Sequence, residues 1–212
     1  HKRPPTIEEV HSLAECAVHV HGSGFGDEVA AMILWSAYTC MRPGEVYAAK
    51  WSHLEGDEYY VAEQFNSALG MVSEPKYGSS GKIYVPAPAL EAVHRLPRRL
   101  GDDLMFRTRR QKMYRQSTHY GVWNSVRAYF NRPDLAYHEL RHAGATYMLN
   151  VLGMPPHLIA RQLRHDDETG GLVMKLYGHP DEKAMLGWIR QAFTPDSAIV
   201  IPSAAPYRTT DA

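Results

Sequence analysis

Cysteine is nearly absent from this chain: Cys16 and Cys40 are the only two in 212 residues. They do not form a CxxC pair, which removes a disulfide framework and a thiolate zinc site and points to a reducing, intracellular setting. Long apolar runs are missing as well. No stretch approaches the roughly 18 residues of a membrane span, and the opening HKRPPTIEEV lacks the apolar core of a signal peptide. Net charge is absent too, with 23 Lys and Arg against 23 Asp and Glu, and no internal repeat or low-complexity tract interrupts the chain. What remains is 44% hydrophobic, enough for one substantial core and incompatible with compositional disorder. The chain opens without Met and reads as a fragment or processed product that begins in a linker.

Zero net charge at first argues against a polyanionic partner, but distribution matters more than the sum. Between Arg95 and Arg132 lie ten basic residues and only two acids, Asp102 and Asp103. Acids cluster elsewhere, at Glu8, Glu9, Glu15, Asp27 and Glu28 and again at Asp166, Asp167 and Glu168. Taken singly, such Arg-rich runs are usually solvated loops and helix faces. Interleaving with Phe106, Tyr114, His119 and Tyr120 supports a second reading, a phosphate-binding surface with Arg107, Arg109, Arg110, Lys112 and Arg115 as DNA contacts.

Periodicity predicts mostly helix with one small β insert. Thr6 and Glu9 form a capping box ahead of IEEVHSLAECAVHVH, a helix ending near Gly22 and Gly24. DEVAAMILWSAYT is apolar through its middle and belongs at the centre of the core. MRPGEV opens a third helix, with Pro43 suited to a first turn that has no partner for an amide hydrogen. EYYVAEQF, MVSE and KIYVP read as strands of an antiparallel meander, punctuated by Gly70, Gly78 and Gly81. Helical patterns return in ALEAVHRL, HYGVWNSVRAYF, AYHELRHAGATYMLNVL, PPHLIARQLRH and DEKAMLGWIRQAF. The final stretch carries one apolar tetrad within SAIVIP and reads as a docking tail.

Residues 138–142 spell HELRH, the H-E-x-x-H pattern of helical zinc sites. Two features oppose metal. Arg141 lies three residues from His138 on the same face, placing a cation beside a dication. The extended motif also wants Gly and His where the chain has Ala145 and Met148, although Glu168 remains available as a downstream ligand. Pairing His138 with Arg141 instead gives an imidazole and a bidentate guanidinium on one face, which suits a phosphate oxygen. Further groups of that kind are present: Arg42 in TCMRPGEV, Lys76 in EPKYGSSGKIYVP, His165 closing ARQLRH, and Tyr177 twelve residues later in MKLYGHP.

This ordered set resembles the catalytic domain of the tyrosine recombinases, the phage-integrase family. The likeness runs from PPTIEEV to the helix after Tyr177. It implies an α+β, mainly helical fold with a small three-stranded antiparallel sheet, a catalytic domain over 1–194 and a tail over 195–212. By the resemblance, Arg42 and Arg141 clamp phosphate, Glu45 supports Arg42, Lys76 is the β-hairpin lysine, His138 and His165 are the active-site histidines, and Tyr177 is the nucleophile. Lys82 rivals Lys76, which is preferred because it precedes the turn. His142 is assigned a structural place in its helix. Departures are Cys40-Met41 where the family more often has Gly-Leu, Arg164 where it has Gly, and a longer interval between His165 and Tyr177 containing Gly170 and Gly171. His119, His157 and His179 read as surface or helix-end residues.

The chemistry follows from residue types. Tyr177 attacks a phosphodiester, Arg42, Arg141 and His165 stabilise the developing charge, and no metal or other cofactor is required. Lys76 is the candidate acid for the leaving 5′ hydroxyl, and His138 the candidate acceptor of the phenolic proton. The resemblance further implies a site-specific recombinase or integrase making a 3′-phosphotyrosyl intermediate, which integrates or excises an element such as a phage genome. It implies attachment or crossover sites in double-stranded DNA, a homotetramer on DNA, accessory bending or directionality factors, no membrane, a bacterial cytoplasm, and a preceding DNA-binding domain. Type IB topoisomerase activity, a non-catalytic DNA-binding relative, and a zinc hydrolase using HELRH remain as alternatives.

Overall fold

The structure, a computed structural model, describes residues 3–167 and 169–178. The helix expected at 181–193, the tail 195–212 with SAIVIP, Glu168 and His179 lie outside the described residues.

Helix α1 (Ile7–His21) begins at the expected capping box: the Glu9 amide donates to Thr6 Oγ1 (3.2 Å) and the Thr6 amide to Glu9 Oε2 (2.9 Å). Its apolar stripe of Val10, Leu13 and Ala17 packs on α2 (Phe25–Thr39). Helix α2 is apolar nearly all round because it is enclosed. Val29, Met32, Ile33 and Trp35 are all buried, and the Trp35 ring meets Tyr59 and Phe106 edge-on. Each such side chain contributes about 1.5–3 kcal/mol on removal from water. Short helix α3 (Pro43–Tyr47) follows with Pro at its first position.

The β insert departs from a simple meander. Strands β1 (Leu54–Glu55), β2 (Glu58–Val61), β3 (Gln64–Asn66), β4 (Met71–Ser73) and β5 (Gly81–Tyr84) form two sheets. One is three-stranded and antiparallel in the order β1-β2-β5, and the other is a β3-β4 hairpin. EYYVAEQF is thus two strands rather than one, and β2 pairs with β5, the β3-β4 hairpin lying between them in sequence. Burial alternates along β2, with Tyr59 and Val61 inward and Tyr60 outward, as a one-faced sheet requires.

Helices α4 (Ala87–His94), α5 (Gln116–Tyr129), α6 (Glu139–Asn150), α7 (Pro156–Leu163) and α8 (Gly171–Tyr177) complete the described residues. Helix α8 is absent from the sequence-based expectation, its seven residues being too few to show a period. Gly170 makes it possible: its φ is +80°, and a Cβ there would stand 2.5 Å from the Pro156 carbonyl carbon at the start of α7. Helix α7 is tied to the edge of the sheet by Gln162, which accepts from the Tyr84 amide (3.1 Å) and donates to its carbonyl (2.7 Å). Among the described residues no helix is long and apolar enough to cross a membrane.

His119 is a correction to the surface assignment. It is buried on α5 among Tyr47, Tyr114 and Tyr137, and desolvation lowers its pKa to about 3 from an ordinary 6.5. The unfolded chain therefore takes up a proton as pH falls through 6.5 while the folded chain does not, so stability is lost on acidification down to about pH 3. Between pH 7 and pH 5 this site removes about 2 kcal/mol. Urea denaturation should show that loss, and His119→Phe should make it smaller.

Candidate active site

The site is organised around Glu45, which is fully buried in the first turn of α3. Its Oε2 accepts from the Arg42 amide (2.7 Å) and its Oε1 from Arg42 Nη1 (3.0 Å). Arg164 Nη2 donates to Oε2 from the far side. Burial alone would raise this carboxyl, but the Arg164 guanidinium, the Arg42 amide and the Arg42 guanidinium outweigh it and hold it below the usual carboxylate range. The same two arginines grip the turn after Lys76. Arg42 Nη1 donates to Ser79 Oγ (2.9 Å), and Arg164 Nε donates to the Ser79 carbonyl (3.0 Å).

Arg164 belongs to this buried cluster, although sequence reasoning passed over it as a departure from glycine. It occupies a left-handed position (φ 53°) at the end of α7, where glycine is easiest, and its guanidinium is buried. Nothing in the local sequence signals the Glu45 contact, since the partners are 119 residues apart.

Arg141 lies in the first turn of α6 and is also buried. It donates through Nη1 to the Cys40 carbonyl, and through Nη2 to the Leu163 carbonyl (3.0 Å) and to His165 Nε2 (3.1 Å). Because a guanidinium only donates, His165 accepts at Nε2 and carries its proton on Nδ1. The close approach of α6 to α2 depends on Gly144: a Cβ there would stand 1.9 Å from the Ala37 carbonyl oxygen. Cys40, left-handed at the end of α2, turns its carbonyl toward Arg141 while burial pushes its thiol up to about 12. Both cysteines are free.

Arg42, Lys76 and His138 line one open cleft of about 800 Å³ between α3, the β3-β4 hairpin and α5. Gln116, Tyr120 and Arg127 of α5 also line it; Tyr120 and Arg127 fall within the basic, aromatic-interleaved segment read from sequence as a phosphate-binding surface, and Gln116 is not singled out by sequence. Lys82, the rival lysine, instead points from β5 to Glu58 across the sheet (2.5 Å). His138 reaches solvent just before α6. Desolvation, then the nearby His142, Arg141 and Arg42, lower its pKa to about 4. Desolvation followed by Arg141 and Arg42 does the same to His165. Both imidazoles are therefore neutral at pH 7.

Tyr177 ends α8 with its ring buried against Ile159, Ala160 and Val173. Its hydroxyl lies 3.1 Å from His142 Nδ1, and its carbonyl accepts from Asn150 Nδ2 (3.1 Å). Burial raises the phenol, and Arg141 opposes that shift. His142, assigned a structural place in its helix, is here the hydrogen-bond partner of that phenol. His157 is exposed on α7, as read from sequence.

The basic run needs a larger correction. Arg107 is buried, with its guanidinium on Asp102 and its amide on Glu28, so it is unavailable to DNA. Arg109 lies over the Phe25 ring (4.8 Å) and donates to the His21 carbonyl. Arg98 covers Trp51, and Arg132 pairs with Asp134 and Glu9. Arg110, Lys112 and Arg115 are exposed, and none of these three lines the cleft. For the zinc alternative, among the described residues no group of three or more His, Cys, Asp or Glu is placed to hold a metal.

The buried carboxylate with its two arginines, and Arg141 with its neighbouring histidine, gather cations at one place on this fold, and comparison names the family. Residues 12–183 match the family model described as Phage integrase family, and the chain belongs to that family. No curated protein matches it by sequence. Among solved structures it is similar to the Tn1549 transposon integrase in complex with a circular intermediate DNA (TM-score 0.69, 18% identity), covering 91% of this chain and 66% of that one. It is similar also to XerA recombinase (0.66, 19%, covering 91% and 66%) and to a lambda integrase dimer bound to a COC′ core site (0.56, 17%, covering 81% and 47%). At these identities the likeness is one of fold, and the chain spans no more than about two thirds of these relatives' lengths.

Two substitutions test the scaffold. Gly144→Ala forces α6 away from α2 and should cost about 3 kcal/mol or more. Arg164→Ala leaves the Ser79 carbonyl unpaired and Glu45 with one guanidinium, and should cost about 3 kcal/mol, with Arg164→Lys a poor rescue for want of the planar fork. Urea midpoints read both.

Proposed function

We propose that this chain is the catalytic part of a site-specific tyrosine recombinase that cuts and rejoins DNA through a 3′-phosphotyrosyl intermediate. The observation that carries the reading is the convergence of Arg42, Arg141, His138 and His165 in one electrostatically coupled group, with the Tyr177 hydroxyl adjoining it through His142. Guanidinium forks held in advance by Glu45, Cys40 and Leu163 match the oxygens of a phosphodiester and need little reorganisation as charge builds.

Tyr177 attacks the phosphorus, the bond to the 5′ oxygen breaks, and Lys76, on the cleft wall, supplies its proton. The phosphotyrosyl bond retains the energy of the broken one, so a second 5′ hydroxyl can reverse the step on another strand. Resident cations supply the charge stabilisation, and the step as written draws on no metal or cofactor.

Relatives support the DNA substrate: XerH recombinase is solved bound to its palindromic difH substrate after cleavage, and lambda integrase as a dimer on a core site. The finer assignments belong to the same proposal. They are a homotetramer on paired sites, accessory factors, a catalytic domain over 1–194 preceded by a DNA-binding domain, the tail 195–212 as a docking segment, and Arg109, Arg110, Lys112 and Arg115 as outer DNA contacts. Integration or excision of a mobile element is the biological outcome.

The full-length parent, incubated in EDTA with a nicked substrate whose cleaved strand diffuses away, should form a covalent protein–DNA adduct. Tyr177→Phe should abolish it. Absence of an adduct, with chelator-sensitive hydrolysis in its place, overturns the reading. Relaxation of a one-site plasmid without strand exchange would assign a topoisomerase.

A further inference from the structure

We propose that His142, rather than His138, accepts the phenolic proton of Tyr177 during strand cleavage, an inference that rests on the recombinase reading above. Among the described residues, His142 is the imidazole that hydrogen-bonds the phenol, through Nδ1 at 3.1 Å. His138 occupies another place. It precedes α6, lines the cleft with Arg42 and Lys76, and stands edge-on to His142 with ring centroids 4.7 Å apart. Its position is that of a group facing the phosphate.

Tyr177 is held from behind. Asn150, on α6, fixes the Tyr177 carbonyl (3.1 Å), and the Tyr177 ring shares an apolar cluster with Ala145 of α6 and with α7. The phenol therefore meets His142 through two packed helices. A proton acceptor within about 2.6–3.2 Å of the donor satisfies the geometric requirement for base catalysis.

The protonation states agree with the geometry. Burial lowers the His142 pKa, Glu139 opposes, and Arg141 adds to the lowering, with a net fall below the ordinary imidazole range. The charged and titratable groups facing it are His138 just before α6, Glu139 and Arg141 on α6, and Tyr177 on α8. A neutral imidazole with its hydrogen on Nε2 presents a lone pair at Nδ1 to the hydroxyl. Tyr177 needs such an acceptor, because burial raises its phenol.

The step balances. The Oη–H bond breaks as Nδ1–H forms, an oxygen lone pair makes the bond to phosphorus, and the P–O5′ bond breaks with its electron pair protonated by Lys76. In religation the neutral Lys76 amine takes the proton of the incoming 5′ hydroxyl as its oxygen bonds phosphorus, the P–Oη bond breaks, and the imidazolium returns its proton to Oη. One group thus serves as base and then acid, as microscopic reversibility demands.

The test measures single-turnover adduct formation by the full-length parent on the nicked substrate, with DNA affinity measured in parallel. His142→Ala and His142→Asn should both slow cleavage by about 100-fold or more with affinity retained. Placing a fluorinated, more acidic tyrosine at position 177 should restore at least a tenth of the His142→Ala loss. The same replacement should leave the defects of His138→Ala and Lys76→Ala in place. Three results overturn the proposal: wild-type cleavage by His142→Ala, full recovery with His142→Asn, which can bond the phenol but not take its proton, or rescue of His138→Ala in place of His142→Ala. If the unaltered protein forms no adduct, the recombinase reading itself fails, a result distinct from these three.

Discussion

The Glu45 carboxylate is an anion with no access to water, and such a group is unstable in a protein interior unless cations and hydrogen bonds replace its hydration. Here Arg42 approaches from its own helix and Arg164 from the end of α7, while both arginines also reach Ser79 beyond the lysine turn. One buried charge therefore holds three separate chain segments in register. Since two guanidiniums answer one carboxylate, the locality keeps an excess of positive charge, and Arg42, the less buried of the pair, turns it toward the cleft.

Arg141 is held by a different device, with carbonyls of the α2 end and the α7 end fixing its fork and His165 completing the set. Backbone oxygens orient a guanidinium without neutralising it, which preserves its full charge for an incoming phosphate. Desolvation, with Arg141 and Arg42 adding to it, lowers the pKa of both His138 and His165.

Much of the scaffold is legible in the sequence because it rests on local physics. The Thr6–Glu9 box, Pro43 at a helix start and the enclosed apolar helix α2 each follow from a few neighbouring residues. The spread of Arg42, Lys76, His138, Arg141, His165 and Tyr177 was likewise readable as an ordered set, since residue type and order survive without coordinates. The basic run misled because composition does not say whether an arginine faces solvent. Arg107 is buried, with its guanidinium on Asp102 and its amide on Glu28 from 79 residues away, whereas Arg109 stays exposed beside the Phe25 ring.

The sequence by itself determined the longer helices, the family resemblance and the chemical inventory, all of which depend on short-range patterns and residue identity. Tertiary structure alone decided that β2 pairs with β5, that Arg164 shares Glu45 with Arg42, and that His142 meets Tyr177. Those facts turn on contacts between segments far apart in the chain, where burial and helix packing select one partner from many of similar type. A histidine four residues from another looks like its twin in sequence; only the packing of α8 on α6 separates the one that lines the cleft from the one that bonds the phenol.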